Sequence, residues 1–178
     1  MLRLWLVIGT VGACLTACAI TPEEKFSDHY DKGMELYRGG EGTEAIAEFR
    51  QALRYKPRSA KTHNALGQAL YDTGDREQAI EEYHHALRDR PSYPEAANNL
   101  GVALLAAGQY AGAVTQFRDA VAVQPSFTAA QFNLCLGLEL LGQLEDALTR
   151  CRLAAQQNPE MPGLEATVQR LQEKLALQ

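Results

Sequence analysis

The sequence predicts an all-α solenoid, in which antiparallel helix pairs stack side by side and one further helix closes the stack. Three observations support this prediction. Small and aromatic residues recur with a period of 34 residues over four copies. A glycine and a proline recur at fixed places in each copy, where a turn and a helix end are needed. An apolar segment with helical spacing follows the fourth copy.

The first seventeen residues differ from the rest of the chain. Arg3 is their only charge, and an apolar run begins at Leu4 and reaches Cys14. A run of roughly ten to fourteen apolar residues is short for a transmembrane helix, which needs about twenty, so a cleaved export signal is the better interpretation. We therefore assign residues 1–17 to a signal peptide.

Residues 15–18, with the sequence Leu-Thr-Ala-Cys, resemble the lipobox of bacterial lipoproteins. The resemblance implies cleavage before Cys18 and a covalent lipid on its sulfur. The acyl chains on this one residue would exceed the two membrane anchors that stable attachment requires. An ordinary signal peptide with a chance cysteine, or an uncleaved anchor, is the alternative. The residue after the lipidated cysteine is Ala19, which resembles the residue type that directs lipoproteins of enteric bacteria to the outer membrane. We expect residues 18–25 to be a lipidated tether and the protein to face the periplasm.

Six columns of residues recur through the four copies. They are Gly33, Gly67, Gly101 and Cys135; Gly40, Gly74, Gly108 and Gly142; Ala45, Ala79, Ala113 and Ala147; Phe49, Tyr83, Phe117 and Cys151; Ala52, Ala86, Ala120 and Ala154; and Pro57, Pro91, Pro125 and Pro159. The first glycine column and the alanine columns allow two helices to approach closely, and the aromatic column fills the space between them. The second glycine column ends the first helix, and the proline column ends the second.

This period and these residue types resemble the tetratricopeptide repeat (TPR). The resemblance implies a right-handed superhelix of four helix pairs, in residues 26–59, 60–93, 94–127 and 128–161. The segment 162–178 resembles the helix that closes TPR arrays. Gln169 stands where a repeat would have its close-contact glycine, which favours a capping helix over a truncated repeat.

Cys135 and Cys151 depart from the consensus of their columns, and both belong to the fourth copy. One replaces the glycine of the first helix and the other replaces the ring of the second, so we expect them to face each other. An even pair in an exported protein indicates a disulfide, although two reduced cysteines that pack as small apolar residues are an alternative. Two thiols without further ligands do not predict a metal site.

Charge and motifs argue against several classes of function. The net charge is −5 and no basic cluster occurs, so no nucleic-acid partner is expected. No phosphate loop, nucleophile elbow or metal motif is present, which predicts no enzymatic activity, no small-molecule substrate and no cofactor beyond the lipid on Cys18. His29 and His63 share one column, and we expect them to pack. His84 and His85 are adjacent, and we expect at least one to be solvated.

In TPR proteins the first helices line a concave groove that takes an extended peptide or a helix of a partner. The resemblance assigns the following residues to the groove: Tyr30, Tyr37, Lys61, Asn64, Tyr71, Asn98, Asn99, Phe132 and Asn133. Asparagine amides donate and accept, so a row of them can pair with the backbone of an extended segment. The row resembles the asparagine ladder of O-linked N-acetylglucosamine transferases, although Ala65 interrupts it. The carboxylate clamp of chaperone-binding TPR domains is not matched, because Lys61 is the only cation in the groove.

The sequence as a whole predicts a non-catalytic adaptor or assembly factor, anchored in a membrane and binding another protein. A lipobox followed by a TPR array resembles the pilotin-like proteins of type IV pilus biogenesis, which help secretin rings to assemble. It also resembles the lipoprotein adaptors that bring together murein hydrolases. An alternative from another class is a non-catalytic recognition subunit of an enzyme, such as a glycosyltransferase.

Overall fold

The computed structural model describes residues 21–177, and over this range the chain forms nine α-helices and no β-strand. The helices are α1 Pro22–Arg38, α2 Gly42–Tyr55, α3 Ala60–Asp72, α4 Arg76–Asp89, α5 Pro94–Ala106, α6 Tyr110–Val123, α7 Thr128–Leu140, α8 Leu144–Gln157 and α9 Leu164–Ala176. The predicted signal peptide and Cys18 lie outside the described residues. No helix that the structure describes has both the length and the apolar character needed to cross a membrane.

The helices form four hairpins in series, and α9 packs on the last of them. Each first helix packs against the second helix of its own repeat, and each second helix packs against the first helix of the next. The first helices α1, α3, α5 and α7 also contact one another in succession, whereas neighbouring second helices between residues 21 and 177 do not make comparable contacts. The array therefore bends toward its first helices, which line the inner face. The predicted all-α solenoid of helix pairs is confirmed.

The glycine that follows each first helix adopts a left-handed conformation. The φ angles are +85° at Gly40, +96° at Gly74, +73° at Gly108 and +74° at Gly142. A side chain is strained in this region, so glycine is the residue that reverses the chain here at little cost. The repeated prolines lie two residues beyond each second helix, where they prevent its continuation.

Within each of the first three repeats, a helical glycine faces the aromatic ring of the second helix. A Cβ atom on Gly33 would lie 2.7 Å from Cδ1 of Phe49, and one on Gly67 would lie 2.7 Å from Cε1 of Tyr83. The ring therefore packs against bare backbone. This contact sets the close approach of the two helices.

The fourth repeat has Cys135 and Cys151 at these two positions. Both are fully buried, and the structure joins them in a disulfide with their Cα atoms 5.4 Å apart. The bridge thus takes the place of the contact between glycine and ring.

The first helix begins at Pro22, whereas the period placed the start of the repeat at Phe26. The reason is a capping box: the backbone N–H of Glu24 donates to Oγ1 of Thr21 at 3.1 Å, and the backbone N–H of Thr21 donates to the Glu24 carboxylate at 2.6 Å. Proline at the first helical position suits this start. Residues 22–25, which were predicted to be tether, are therefore helical.

Candidate partner-binding groove

Two asparagine pairs connect neighbouring repeats along the inner face. Nδ2 of Asn99 donates to Oδ1 of Asn64 at 3.1 Å, and Nδ2 of Asn133 donates to Oδ1 of Asn98 at 2.9 Å. The acceptors Asn64 and Asn98 are only 7% and 8% exposed, whereas the donors are partly exposed. Asn99 and Asn133 thus present carboxamides to the groove, each oriented by the asparagine beneath it.

A small cavity opens beside Asn99, toward the N-terminal end of the groove. Its volume is about 180 Å³, and its lining consists of Tyr37, Gln68, Tyr71, Asp72, Tyr83, Asn99 and Val102. The hydroxyl of Tyr37 donates to the carboxylate of Asp72 at 2.6 Å. Burial, the hydrogen bond to Asp72 and the charge of Asp72 together raise the pKa of Tyr37 to about 12.

The N-terminal end of the groove is aromatic and carries a cation. Nζ of Lys61 lies 3.9 Å from the ring centroid of Tyr30 and 5.3 Å from that of Phe26. Such distances allow cation–π attraction. The predicted groove cation is therefore already placed over rings of its own chain.

At the C-terminal end, the capping helix supplies cations to a carboxylate of the inner face. Glu139 lies one repeat interval after Leu105, in the same column as Tyr37 and Tyr71. Its carboxylate accepts from Arg170 at 2.8 and 3.1 Å and from Lys174 at 2.8 Å. These bonds hold the pKa of Glu139 below its usual value, with the Arg170 hydrogen bond as the largest cause.

The predicted groove residues thus fall into three groups along one face. Lys61 and Tyr30 lie near the start, Tyr37 and Tyr71 line the small cavity, and the four asparagines form two cross-repeat pairs. Phe132 is partly buried against the core beside them.

Sequence reasoning missed Asp72 and Tyr83 as members of the cavity. A signal for one of them was present, because Tyr37 and Asp72 are 35 residues apart, as are the two members of each asparagine pair. A separation of one period plus one residue therefore marks side chains that meet across neighbouring first helices.

The histidines of the first helices do more than pack, so that expectation was incomplete. Nδ1 of His29 lies 2.6 Å from the carboxylate of Glu48, and Nδ1 of His63 lies 2.6 Å from that of Glu82. Nε2 of His63 also lies 3.0 Å from the carbonyl oxygen of Pro57. Each pair connects the two helices of one repeat.

Ala97 occupies this histidine column in the third repeat, and space opens beside it. A cavity of about 520 Å³ lies between α4 and α6, away from the groove, and is lined by His84, Leu87, Arg88, Pro91, Tyr93, Pro94, Ala97, Gln116, Asp119, Ala122 and Val123. The same column has His29, His63 and Gln131 in the other repeats. Across residues 21–177, no group of three or more His, Cys, Asp or Glu side chains is arranged to hold a metal ion.

Comparison with known proteins agrees with this geometry. The family model described as "Tetratricopeptide repeat" matches residues 64–116 and 103–162, together more than half of the chain, and a model described as "TPR repeat" matches residues 33–74. No curated protein matches the chain significantly.

Solved structures with the same fold include two bacterial proteins. MamA 41-end from Desulfovibrio magneticus RS-1 is 22% identical, with a TM-score of 0.80 over 89% of this chain and 88% of that one. The structure described as "Functional Characterization of Pseudomonas Aeruginosa pilF" is also 22% identical, with a TM-score of 0.79 over 87% of this chain and 71% of that one. At this identity the likeness establishes the fold alone.

Proposed function

Because the chain belongs to the tetratricopeptide repeat family, we propose that it is a non-catalytic adaptor or assembly factor whose groove binds a protein partner. The observation that carries the proposal is the pair of oriented carboxamides, Asn99 and Asn133, on the inner face. Their spacing follows the repeat, and amides can donate to and accept from a peptide backbone whatever its side chains. An extended segment of the partner is the occupant that such a row suits best.

The second part of the proposal concerns the membrane. A lipid on Cys18 would hold the array close to an outer membrane on its periplasmic side. The Leu-Thr-Ala-Cys motif at residues 15–18 supports this anchor. Because α1 begins at Pro22, only Ala19, Ile20 and Thr21 separate the predicted lipidation site from the first helix. Three extended residues span at most about 11 Å, so the groove would work beside the lipid surface.

The groove is tested by removing one complete amide pair. Asn98→Ala combined with Asn133→Ala leaves neither amide without its partner, which avoids the desolvation penalty of a single removal. We expect the double variant to keep the helical circular dichroism of the wild type and to capture less partner from solubilised membranes. The matched control is Gln116→Ala with Gln156→Ala, which removes two carboxamides from the second helices. If the asparagine double variant captures as much partner as the control variant and the wild type, the partner does not use this face.

The anchor and the class of partner are tested on the mature protein. Mass spectrometry should find Cys18 as the first residue, with its lipid attached. Recovery of a secretin with the captured protein would favour the pilotin-like role, and recovery of peptidoglycan enzymes would favour the murein adaptor. A mature chain that retains Met1, carries no lipid and copurifies with a cytosolic transferase would defeat the adaptor proposal in favour of an enzyme subunit.

A further inference from the structure

The small cavity beside Asn99 combines one carboxylate with three phenol rings. Tyr37 comes from α1, Tyr71 and Asp72 from α3, and Tyr83 from α4. None of the seven lining residues is basic, and within residues 21–177 no Lys, Arg or His nitrogen lies within 4.0 Å of the Asp72 carboxylate. The cavity therefore has a formal negative charge and no cation of its own nearby.

We propose that this cavity receives a cationic side chain, Lys or Arg, from the partner segment that occupies the groove. A carboxylate and the faces or edges of aromatic rings are the groups that attract an ammonium or guanidinium ion in a partly enclosed site. The inference rests on the proposed function, because it specifies one side chain of the partner bound there.

The electrostatics of the tyrosines agree with this assignment. Burial raises the pKa of Tyr83, and the charge of Asp72 and the nearby phenols of Tyr37 and Tyr71 raise it further. Burial, the largest cause, penalises a charge of either sign, but the contribution of the Asp72 charge reflects a negative potential that attracts a cation. The carboxylate of Asp72 accepts from Tyr37, and a carboxylate has capacity for several more donors.

The size of the cavity limits its occupant. Sites for small molecules usually enclose about 300–1,000 Å³, whereas this cavity has about 180 Å³. It is suited to the end of one side chain. Asn99 belongs both to the cavity lining and to the amide row. A backbone that pairs with the row would therefore pass directly over the cavity mouth.

At two other places on the inner face, a carboxylate or an aromatic ring binds a cation of the chain itself. The carboxylate of Glu139 accepts from Arg170 and Lys174 of the capping helix, and Nζ of Lys61 lies over the ring of Tyr30. Those two places are already occupied by cations of the chain. Asp72 with its three tyrosines is the corresponding arrangement that is open to a partner.

The test uses blocked ten-residue peptides of Ala and Ser that differ only at one central residue, which is Lys, Arg, norleucine or Glu. Binding to the full chain is followed by the chemical shifts of the asparagine side-chain amides. We expect the Lys and Arg peptides to bind about tenfold more tightly than the norleucine peptide, and the Glu peptide most weakly. In Asp72→Asn the advantage of the cationic peptides should disappear, while norleucine binding stays unchanged.

Matched variants separate charge from folding. Glu81→Gln makes the same change in net charge at an exposed site on α4 and should retain the tenfold preference. Tyr71→Leu keeps apolar bulk but removes a ring, and it should reduce the preference by a few fold. If the wild type binds the Lys, Arg and norleucine peptides equally through the amide row, the cation site is refuted and the groove function stands. If no peptide shifts the asparagine amides, the proposed groove function fails and this inference fails with it.

Discussion

Cys135 and Cys151 are joined at the point where a glycine faces an aromatic ring in each of the first three repeats. The two replacements compensate each other, because one cysteine adds atoms to the first helix where the other removes a ring from the second. The disulfide therefore occupies a space that either change alone would leave badly filled. This exchange explains why two departures from the repeat consensus fall in the same repeat.

Reduction of this disulfide should destabilise the array. Closing a loop of about fifteen residues contributes roughly 3 kcal/mol through the unfolded state, and the two cysteines are separated by 16 residues. We expect the urea midpoint of the wild type to fall when dithiothreitol is added. Cys135→Gly combined with Cys151→Phe restores the glycine and the ring, so its midpoint should not respond to the reductant. A wild-type midpoint that is the same with and without dithiothreitol would show that the bridge does not stabilise the fold.

A methyl group at Gly67 should destabilise the second repeat by about 1–3 kcal/mol, the usual cost of overpacking a core. Its Cβ would lie 2.7 Å from Cε1 and 2.9 Å from Cδ1 of Tyr83, which is buried and cannot withdraw easily. Thermal unfolding followed by circular dichroism measures the effect.

The control for this substitution is Gly112→Ala in α6, where the nearest atom to a new Cβ is Cδ1 of Leu104 at 3.5 Å. That change should be neutral or should stabilise by up to about 1 kcal/mol, because alanine is the better helix former. If Gly67→Ala and Gly112→Ala behave alike, close packing against the ring is not what the Gly67 position requires.

The period of 34 residues was sufficient to predict the helix pairs, because each repeated residue has a local role in a turn or a close contact. Helices α3, α5 and α7 begin at Ala60, Pro94 and Thr128, where the period places the repeats. The period does not describe what differs between copies. The capping box at Thr21 is a feature of the first copy alone, so the period missed the true start of α1.

The cavity was missed for a related reason. Its members come from four helices, and Asp72 shares its column with Arg38, Ala106 and Leu140, so no repeated residue type indicates it. The contact between Tyr37 and Asp72 depends on the offset of 35 residues between neighbouring first helices. That offset follows from how successive repeats are displaced in the stack, which residue types alone do not specify.

The pKa of the Tyr37 hydroxyl should depend on the charge of Asp72. Burial is the largest cause of the raised pKa of Tyr37, and the hydrogen bond and charge of Asp72 add to it. Asp72→Asn removes the charge, so the pKa of Tyr37 should fall from about 12 but remain above its ordinary value because the ring is still buried. The Cζ resonance of Tyr37, followed by NMR between about pH 9 and 13, measures the change. A Tyr37 titration that is identical in Asp72→Asn and Glu81→Gln would contradict the contact.

The imidazole of His63 should make the second repeat more stable in mildly acidic solution. Burial lowers the pKa of His63, but hydrogen bonds to Glu82 and to the Pro57 carbonyl, together with the charges of Glu82 and Asp89, outweigh burial and leave the pKa raised. The ring of His85 stacks on it at 5.1 Å, and Arg58 pairs with Asp89 at 3.1 Å. These are the charged or titratable groups that contact the imidazole or its nearest carboxylates.

Since the folded pKa of His63 lies above its unfolded value of about 6.5, its protonation stabilises the fold below that value, and this stability is lost as pH rises through the folded pKa. His63→Gln removes the titration but can keep the carbonyl bond, because Gln131 donates to the corresponding Pro125 oxygen at 3.3 Å in the fourth repeat. The difference in unfolding free energy between wild type and His63→Gln should therefore be largest near pH 5–6 and shrink toward pH 8. The exposed His84→Gln on α4, measured in the same way, is the control. A difference for His63→Gln that stays constant across this range would mean that the ring binds Glu82 in its neutral form.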